Sequence, residues 1–162
     1  MLLLGIMGPG RAGKDEAADW FRNNCGLRYR GTTSTVISWE VAKREGISFE
    51  DAHAQRHHRR AYWRSLGDEL RQEDPAALAR EVLFESDILV GVRARIEMQQ
   101  VLKEQLCDIV IWIDRSGIEV DPTIEFGPEL CHIVIQNHWT LKEFHDRLEV
   151  FARAVNIFPR NK

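Results

Sequence analysis

Short apolar runs alternate along the chain with segments in which apolar residues recur at helical spacing. Four runs are predicted to be strands: Leu2–Met7, Asp87–Val92, Ile109–Ile113 and His132–Ile135. Continuous apolar runs suit strands that are buried on both faces, and such strands separated by helices are typical of βαβ units. The pattern therefore predicts an α/β fold, with a mostly parallel sheet covered by helices on both faces.

Helices are predicted between these strands, and several of their ends carry start or stop signals. The predicted helices are Lys14–Asn24, Val36–Arg44, a long helix from Ser48 to about Arg71, a helix from Asp74-Pro75 to about Glu85, Ala94–Leu106 and Leu141–Val155. Gly26 is placed to end the first helix, and Thr140 is placed to cap the last one. Ser48 with Asp51 three residues later resembles a capping box.

Composition limits the classes of protein to which the chain can belong. Its 162 residues fit one domain, and a formal net charge of −3 argues against a dedicated nucleic-acid-binding protein. Three scattered cysteines without metal-ligand spacing fit a reducing compartment. The apolar start is too short to span a membrane and lacks the features of a signal peptide. We therefore expect a cytoplasmic protein without membrane or nucleic-acid partners.

The strongest chemical signal follows the first strand, where the sequence reads Gly8-Pro-Gly-Arg-Ala-Gly13-Lys14-Asp15. It matches the P-loop pattern G-x-x-x-x-G-K and has the strand–loop–helix context that this pattern requires. Glycines let successive N–H groups turn toward phosphate oxygens, and the start of the helix adds its positive dipole end. Lys14 supplies a charge for the β- and γ-phosphates. The loop residues predicted to bind ATP are Gly8, Gly10, Arg11, Ala12, Gly13, Lys14 and Asp15.

Asp15 departs from the pattern, which usually has Ser or Thr at this position to bind Mg²⁺. A carboxylate here can hold the ion directly or through water. It can also serve only to stabilise the first turn of the helix, where Asp is favoured. The sequence shows no clear second acidic ligand at the end of a buried strand.

Basic residues crowd the predicted long helix. Its predicted polar face consists of His53, Arg56, Arg60, Arg64 and Gly67, which recur at helical spacing. Such a face is often simply the solvent-exposed side of a helix and binds no ligand. A dianionic acceptor phosphate favours bidentate guanidinium partners, however, so Arg60 and Arg64 are candidates to bind one.

Polar side chains also follow the predicted strands, at the sheet edge where ligands bind in open parallel sheets. Arg93 follows the second strand and is a candidate to contact the transferring phosphoryl group, with Glu97 orienting it through an ion pair. Arg115 and Asn137 follow the third and fourth strands and either flank the donor base or are ordinary turn residues.

The base of an acceptor would need stacking and hydrogen-bonding partners. Trp39, Trp63 and the hydroxyl residues Thr33 and Ser34 are candidates for these roles. Tryptophan is more often a core residue, and this structural interpretation leads for Trp63.

With these features the sequence resembles the deoxynucleoside monophosphate kinases of bacteriophages, within the adenylate-kinase-like P-loop group. The resemblance rests on Gly13-Lys14-Asp15 followed by Ala17-Ala18-Asp19, on Leu66-Gly67-Asp68-Glu69-Leu70, on Arg93 with Glu97-Met98, on Arg115-Ser-Gly117 and on Ile135-Gln-Asn137. The first motif is specific, and the others are individually weak.

The resemblance implies a three-layer P-loop NTPase fold in a single domain, residues 1–162, with a core at 1–26 and 87–158 and an acceptor-binding helical region at about 30–86. It implies Mg²⁺-dependent phosphoryl transfer from ATP to a nucleoside monophosphate, with Lys14 and Asp15 serving the donor. The implied acceptor-side residues are Arg60, Arg64, Arg71 and Arg93. Such kinases are commonly dimeric, which makes a homodimer a further expectation.

Two departures from this family affect the site. The chain is shorter than the best-known members, and its loop Ser116–Pro128 is acidic and contains no arginine. Lids of adenylate-kinase type usually bring arginines onto the phosphates. Positive charge would have to come instead from Arg11, Arg93 and Arg115.

The sequence leaves two alternative functions open. A P-loop kinase can act on another small phosphorylated metabolite, such as dephospho-coenzyme A, and the arginine-rich helix favours a phosphorylated acceptor over a neutral one. A non-catalytic nucleotide-binding module is the other alternative. The guanine-reading motif N-K-x-D of GTPases does not occur in the chain.

Overall fold

The computed structural model describes residues 2–158 and contains one four-stranded sheet in this range. The strands are β1 (Leu4–Met7), β2 (Ile88–Val90), β3 (Ile109–Asp114) and β4 (Ile133–Gln136). They pair in the order β2-β1-β3-β4, and every pairing is parallel. This confirms the predicted α/β class and parallel sheet.

Seven α-helices lie within the same part of the chain. They are α1 (Lys14–Cys25), α2 (Thr33–Glu45), α3 (Phe49–Gln55), α4 (Arg60–Leu70), α5 (Ala77–Glu85), α6 (Arg95–Lys103) and α7 (Leu141–Ala154). None of these described helices is both long and apolar enough to cross a membrane.

Successive strand side chains point to opposite faces of the sheet, and both faces are buried at β1, β2 and most of β3. The edge strand β4 is more open, with Ile133 and Val134 exposed. Leu4 and Ile6 of β1 pack in one apolar cluster with residues of α1 and α7. Met7 of the same strand packs in a second cluster with residues of α5 and α6. Helices thus cover the two faces, an arrangement compatible with a three-layer α/β fold.

The helices α2 to α5 share a third apolar cluster. Its buried members include Ile37 and Val41 of α2, Trp63 and Leu66 of α4, and Leu78 of α5. Burying these side chains against one another stabilises the helical region between β1 and β2.

The prediction of one long helix from Ser48 to about Arg71 is wrong. It is interrupted by a turn at residues 56–58, which separates α3 from α4. Five basic residues in succession, 56–60, occur at the break, and the positive charge of Arg56 lowers the pKa of His57. Arg59 leaves the helical path to pair with Glu45 at 2.6 Å. The polar face predicted across residues 53–67 is therefore divided between two helices.

The second strand is shorter than predicted, because both of its flanking residues have other roles. Asp87 is fully buried, and its carboxylate accepts hydrogen bonds from the backbone N–H and the guanidinium of Arg28, at 2.8 and 2.7 Å. Gly91 turns the chain with a φ of 97°, and a Cβ there would lie 2.9 Å from Oγ1 of Thr33. Thr33 donates instead to the Gly91 carbonyl at 2.8 Å, which brings the start of α2 to the end of β2.

Candidate functional site

The loop at residues 8–13 joins the carboxyl end of β1, an interior strand, to the start of α1. Gly8 and Gly13 have φ angles of 144° and 103°, which L-residues with a Cβ rarely adopt. A Cβ at Gly8 would lie only 2.6 Å from the Ile113 carbonyl oxygen. Both the backbone conformation and the close approach to β3 therefore require glycine at position 8.

Lys14, the first residue of α1, folds back over this loop. Its Nζ donates to the carbonyl of Pro9 at 2.6 Å. Burial, together with the positive charge of Arg93, lowers the pKa of Lys14 to about 8. A half-buried ammonium group near a guanidinium favours the binding of an anion, because a negative charge would offset both positive charges.

Arg93 is held by the acidic loop that follows β3. Its Nη1 lies 2.5 Å from Oδ2 of Asp121 and also donates to the hydroxyl of Thr123. Oδ2 of Asp121 accepts a second hydrogen bond, from the backbone N–H of Gly10, at 2.8 Å. Burial opposes ionisation of this carboxyl, but the bonds from Thr123 and Arg93 outweigh it and hold its pKa well below its usual range.

Asp15 lies exposed in the first turn of α1. Its Oδ1 accepts a hydrogen bond from the hydroxyl of Tyr29 at 3.2 Å. Burial and the charge of Asp15 raise the pKa of Tyr29. Across residues 2–158 there is no group of three or more His, Cys, Asp or Glu side chains that could hold a metal. Asp15 thus offers one exposed carboxylate at this loop, outside any such group.

Asn137 and Arg115 contact the backbone of the loop. Nδ2 of Asn137, which is buried, donates to the Ala12 carbonyl at 2.8 Å, and Nη1 of Arg115 donates to the Arg11 carbonyl at 3.3 Å. Arg11 itself has a positive φ of 64° and an exposed side chain. The two strand-end residues thus hold the loop in place, and their predicted contact with a donor base stays a prediction.

The ion pair predicted between Glu97 and Arg93 is wrong. Glu97 pairs instead with Arg71, at 3.2 Å between Oε2 and Nη1, and the exposed fractions of the two side chains are 1% and 14%. Burial raises the pKa of Glu97 to about 7, although the charge of Arg71 opposes the shift. Arg71 also pairs with Asp68 at 2.8 Å, so the guanidinium bridges an exposed and a buried carboxyl group. Its predicted role at an acceptor stays a prediction.

The other predicted acceptor-side arginines lie exposed on α4. Arg64 approaches Glu125 at 3.4 Å, and the backbone N–H of Glu125 donates to the Arg93 carbonyl at 2.9 Å. This arrangement brings α4 toward the strand end that carries Arg93. Within the described range, Arg60 makes no side-chain hydrogen bond or ion pair.

The candidates for binding a base have different surroundings. Trp63 is buried in the helical cluster, and its Nε1 finds no hydrogen-bond partner in the described part of the chain. Trp39 is exposed, and its ring stacks on that of Phe49 with 4.5 Å between centroids. Thr33 is buried at the end of β2, as described above, and Ser34 is half-buried beside it.

The sequence matches no protein-family model and no curated protein. The residues around the loop, and the geometry in which they lie, are therefore what supports a function.

Three residues of this site were not predicted from the sequence: Tyr29, Asp121 and Thr123. The last two carry a local signal, because Asp121-Pro122-Thr123 is typical of a turn in which the Asp side chain binds the backbone two residues on. Thr123 does donate its N–H to Oδ1 of Asp121, at 3.0 Å. No local pattern indicates that the turn lies against the loop at residues 8–13.

Proposed function

We propose that this chain transfers the terminal phosphoryl group of ATP to a nucleoside or deoxynucleoside monophosphate, giving ADP and the diphosphate. The observation that carries the proposal is the pair of cations at the glycine loop. Lys14 folds over the loop with a lowered pKa, and Arg93 follows the neighbouring parallel strand. Such an arrangement at the carboxyl ends of parallel strands suits the binding of a highly charged phosphate ligand.

Each cation has a distinct role in the proposed reaction. Lys14 offsets the charge of the β- and γ-phosphates, and the loop backbone contributes N–H donors. Arg93 stabilises the charge that spreads over the transferring group between the leaving and the attacking oxygens. The phosphoryl group is transferred nearly in line between the leaving and the attacking oxygens. The protein therefore contributes mainly by positioning the two substrates and by supplying positive charge.

Mg²⁺ fits the residues present at the loop. In nucleotide sites the ion is usually held by one or two carboxylates together with substrate phosphates and water. Asp15 supplies one exposed carboxylate in the first turn of α1, and it would hold Mg²⁺ directly or through water. When bound, the ion neutralises part of the phosphate charge.

The acceptor would lie between the end of β2 and the helices α2 and α4. Thr33 reaches the Gly91 carbonyl, and Arg64 reaches Glu125 next to the backbone of Arg93. Exposed guanidinium groups on α4 favour an acceptor that carries a phosphate. This supports a monophosphate acceptor, with Arg60 and Arg64 as its phosphate partners.

The proposal is tested by measuring ADP formation from Mg·ATP with a panel of nucleoside and deoxynucleoside monophosphates. We expect steady turnover only when one of these acceptors is present. Turnover with dephospho-coenzyme A alone would assign a different acceptor. Binding of Mg·ATP without turnover of any acceptor would favour a non-catalytic nucleotide-binding module and would contradict the proposed reaction.

Replacing Arg93 with alanine is expected to lower kcat by about a hundredfold or more, because it removes a positive charge aimed at the transition state. The dissociation constant of Mg·ATP should change much less. Arg80→Ala is the matched control, since Arg80 is similarly exposed (43% against 45% for Arg93) and is also paired with acids, but lies on α5. An unchanged kcat in Arg93→Ala would remove Arg93 from the mechanism.

A further inference from the structure

The carboxylate of Asp121 lies against the glycine loop with an exposed fraction of only 13%. Its Oδ2 is shared by the N–H of Gly10 at 2.8 Å and the guanidinium of Arg93 at 2.5 Å. The charge of Asp121 also acts on Lys14 and raises its pKa, against the larger effects of burial and Arg93. One carboxylate is therefore in contact with or close to three donors of the site.

These three donors are of the kinds that bind phosphate oxygens: a backbone amide, a guanidinium and an ammonium group. Carboxylate and phosphate oxygens both accept short, charge-assisted hydrogen bonds from such groups. A Cβ at position 10 would lie 3.1 Å from Oδ2 of Asp121, so the carboxylate is in close contact with the backbone of the loop. The carboxylate therefore occupies the space directly beside the Gly10 backbone.

We propose that Asp121 is an internal anion that occupies part of the phosphate position in the nucleotide-free chain, and that a polyphosphate binds by displacing it. The inference rests on the proposed function, because it takes the glycine loop to be a phosphate site. The exchange keeps an anion beside Arg93 and Lys14, since a phosphate oxygen takes the place of the carboxylate. It also frees Arg93 from Asp121, so that the guanidinium can pair with the incoming phosphate.

Asp121 lies in an irregular loop whose contacts with the apolar core are made by residues on either side of it, including Ile118 and Ile124. Residues 115–127 contain no helix or strand, and Glu119 and Val120 near the tip are exposed. The far end of the loop is anchored, because Phe126 is buried with its ring 6.1 Å from that of Trp112. Displacing Asp121 breaks its bonds to Gly10 and Arg93 while this anchor stays in place.

The test compares the binding of Mg·ATP and of inorganic tripolyphosphate by calorimetry in three proteins: wild type, Asp121→Asn and Glu119→Gln. The Asn side chain keeps the size of Asp121 and loses its charge. Glu119→Gln removes the same charge from an exposed position of the same loop. We expect Asp121→Asn to bind both ligands at least about tenfold more tightly, because the charged carboxylate no longer competes with the phosphates for Gly10 and Arg93. Glu119→Gln should bind as the wild type does.

A second measurement reports on the contact without any ligand. The amide resonance of Gly10 should shift in Asp121→Asn, and also when tripolyphosphate is added to the wild type. Equal or weaker binding by Asp121→Asn, with the wild type binding well, would overturn the inference and leave the proposed function standing. If no folded protein in the series bound either ligand, the proposed function would fail and this inference with it.

Discussion

Replacing Lys14 with alanine is expected to abolish measurable phosphoryl transfer while the protein keeps its fold. Nζ of Lys14 bonds to the Pro9 carbonyl across the loop, so the substitution removes the ammonium group closest to the expected phosphates. In phosphoryl transfer the protein contributes mainly charge and positioning, and the loss of such a group lowers the rate by about a thousandfold or more. The measurement is ADP formation in the presence of the preferred monophosphate.

The stability of the ligand-free protein should not fall when this charge is removed. The folded state lowers the pKa of Lys14 from 10.5 to about 8, which means that it disfavours the charged form. The resulting cost in stability is fully present below pH 8 and disappears as the pH rises from about 8 to 10.5. Lys14→Met, which keeps the length of the side chain, is expected to raise Tm at pH 7 by about 2–4 °C. The gain should vanish near pH 10.

Lys103→Ala is the control for both effects, because Lys103 lies exposed near the end of α6 and has no side-chain bond within the described chain. It should transfer phosphate and unfold as the wild type does. Transfer retained in Lys14→Ala would contradict the proposed role of the loop. A large drop in Tm in Lys14→Met would show that the lysine is needed for folding instead.

The part of the site that could be predicted from the sequence is the part set by local backbone chemistry. Glycines at positions 8 and 13 are required by positive φ angles, and the strand, loop and helix around them follow one another directly. The helix ends show the same principle. Gly26 adopts the left-handed conformation that ends α1, and Thr140 caps α7 through the N–H of Glu143.

The partners of the charged side chains could not be predicted, because they come from distant parts of the chain. Asp121 reaches Gly10 across 111 positions, and Arg71 reaches Glu97 across 26. Spacing along a helix favoured Glu97 as a partner of Arg93, which is only four residues away. The fold instead presents Arg93 to the acidic loop and buries Glu97 beside the end of α4. Which acid meets which base is decided by the packing of the helices on the sheet.

The division of the predicted long helix has a similar cause. Ser48 caps the start of α3 as predicted, and the Ser48 side chain accepts a hydrogen bond from the backbone N–H of Asp51. Between α3 and α4 the chain contacts another element, since Arg59 binds Glu45 at the end of α2 and also lies over the ring of Tyr62 at 4.6 Å. The helical spacing of the polar residues at 53–67 does not reveal such a tertiary contact.

Replacing Arg71 with methionine is expected to destabilise the protein by about 3 kcal/mol at pH 8, because it leaves the carboxylate of Glu97 buried without its cation. The expected loss is smaller at pH 5. Glu97 has a folded-state pKa of about 7, raised by burial from 4.5, so its contribution to stability is present at low pH and is lost as the pH rises through 7. Without Arg71 the pKa rises further, and protonation at pH 5 relieves the unpaired charge.

The measurement is urea unfolding of the wild type and the variant at both pH values. Arg22→Met is the control, because Arg22 pairs with Asp19 at 2.8 Å on the exposed surface of α1 and should contribute less than about 1 kcal/mol. Adding Glu97→Gln to Arg71→Met should remove the pH dependence of the loss, since the group that titrates is then gone. An equal loss at pH 5 and pH 8 in the single variant would mean that Arg71 stabilises the fold through packing and its bond to Asp68, and not through the charge of Glu97.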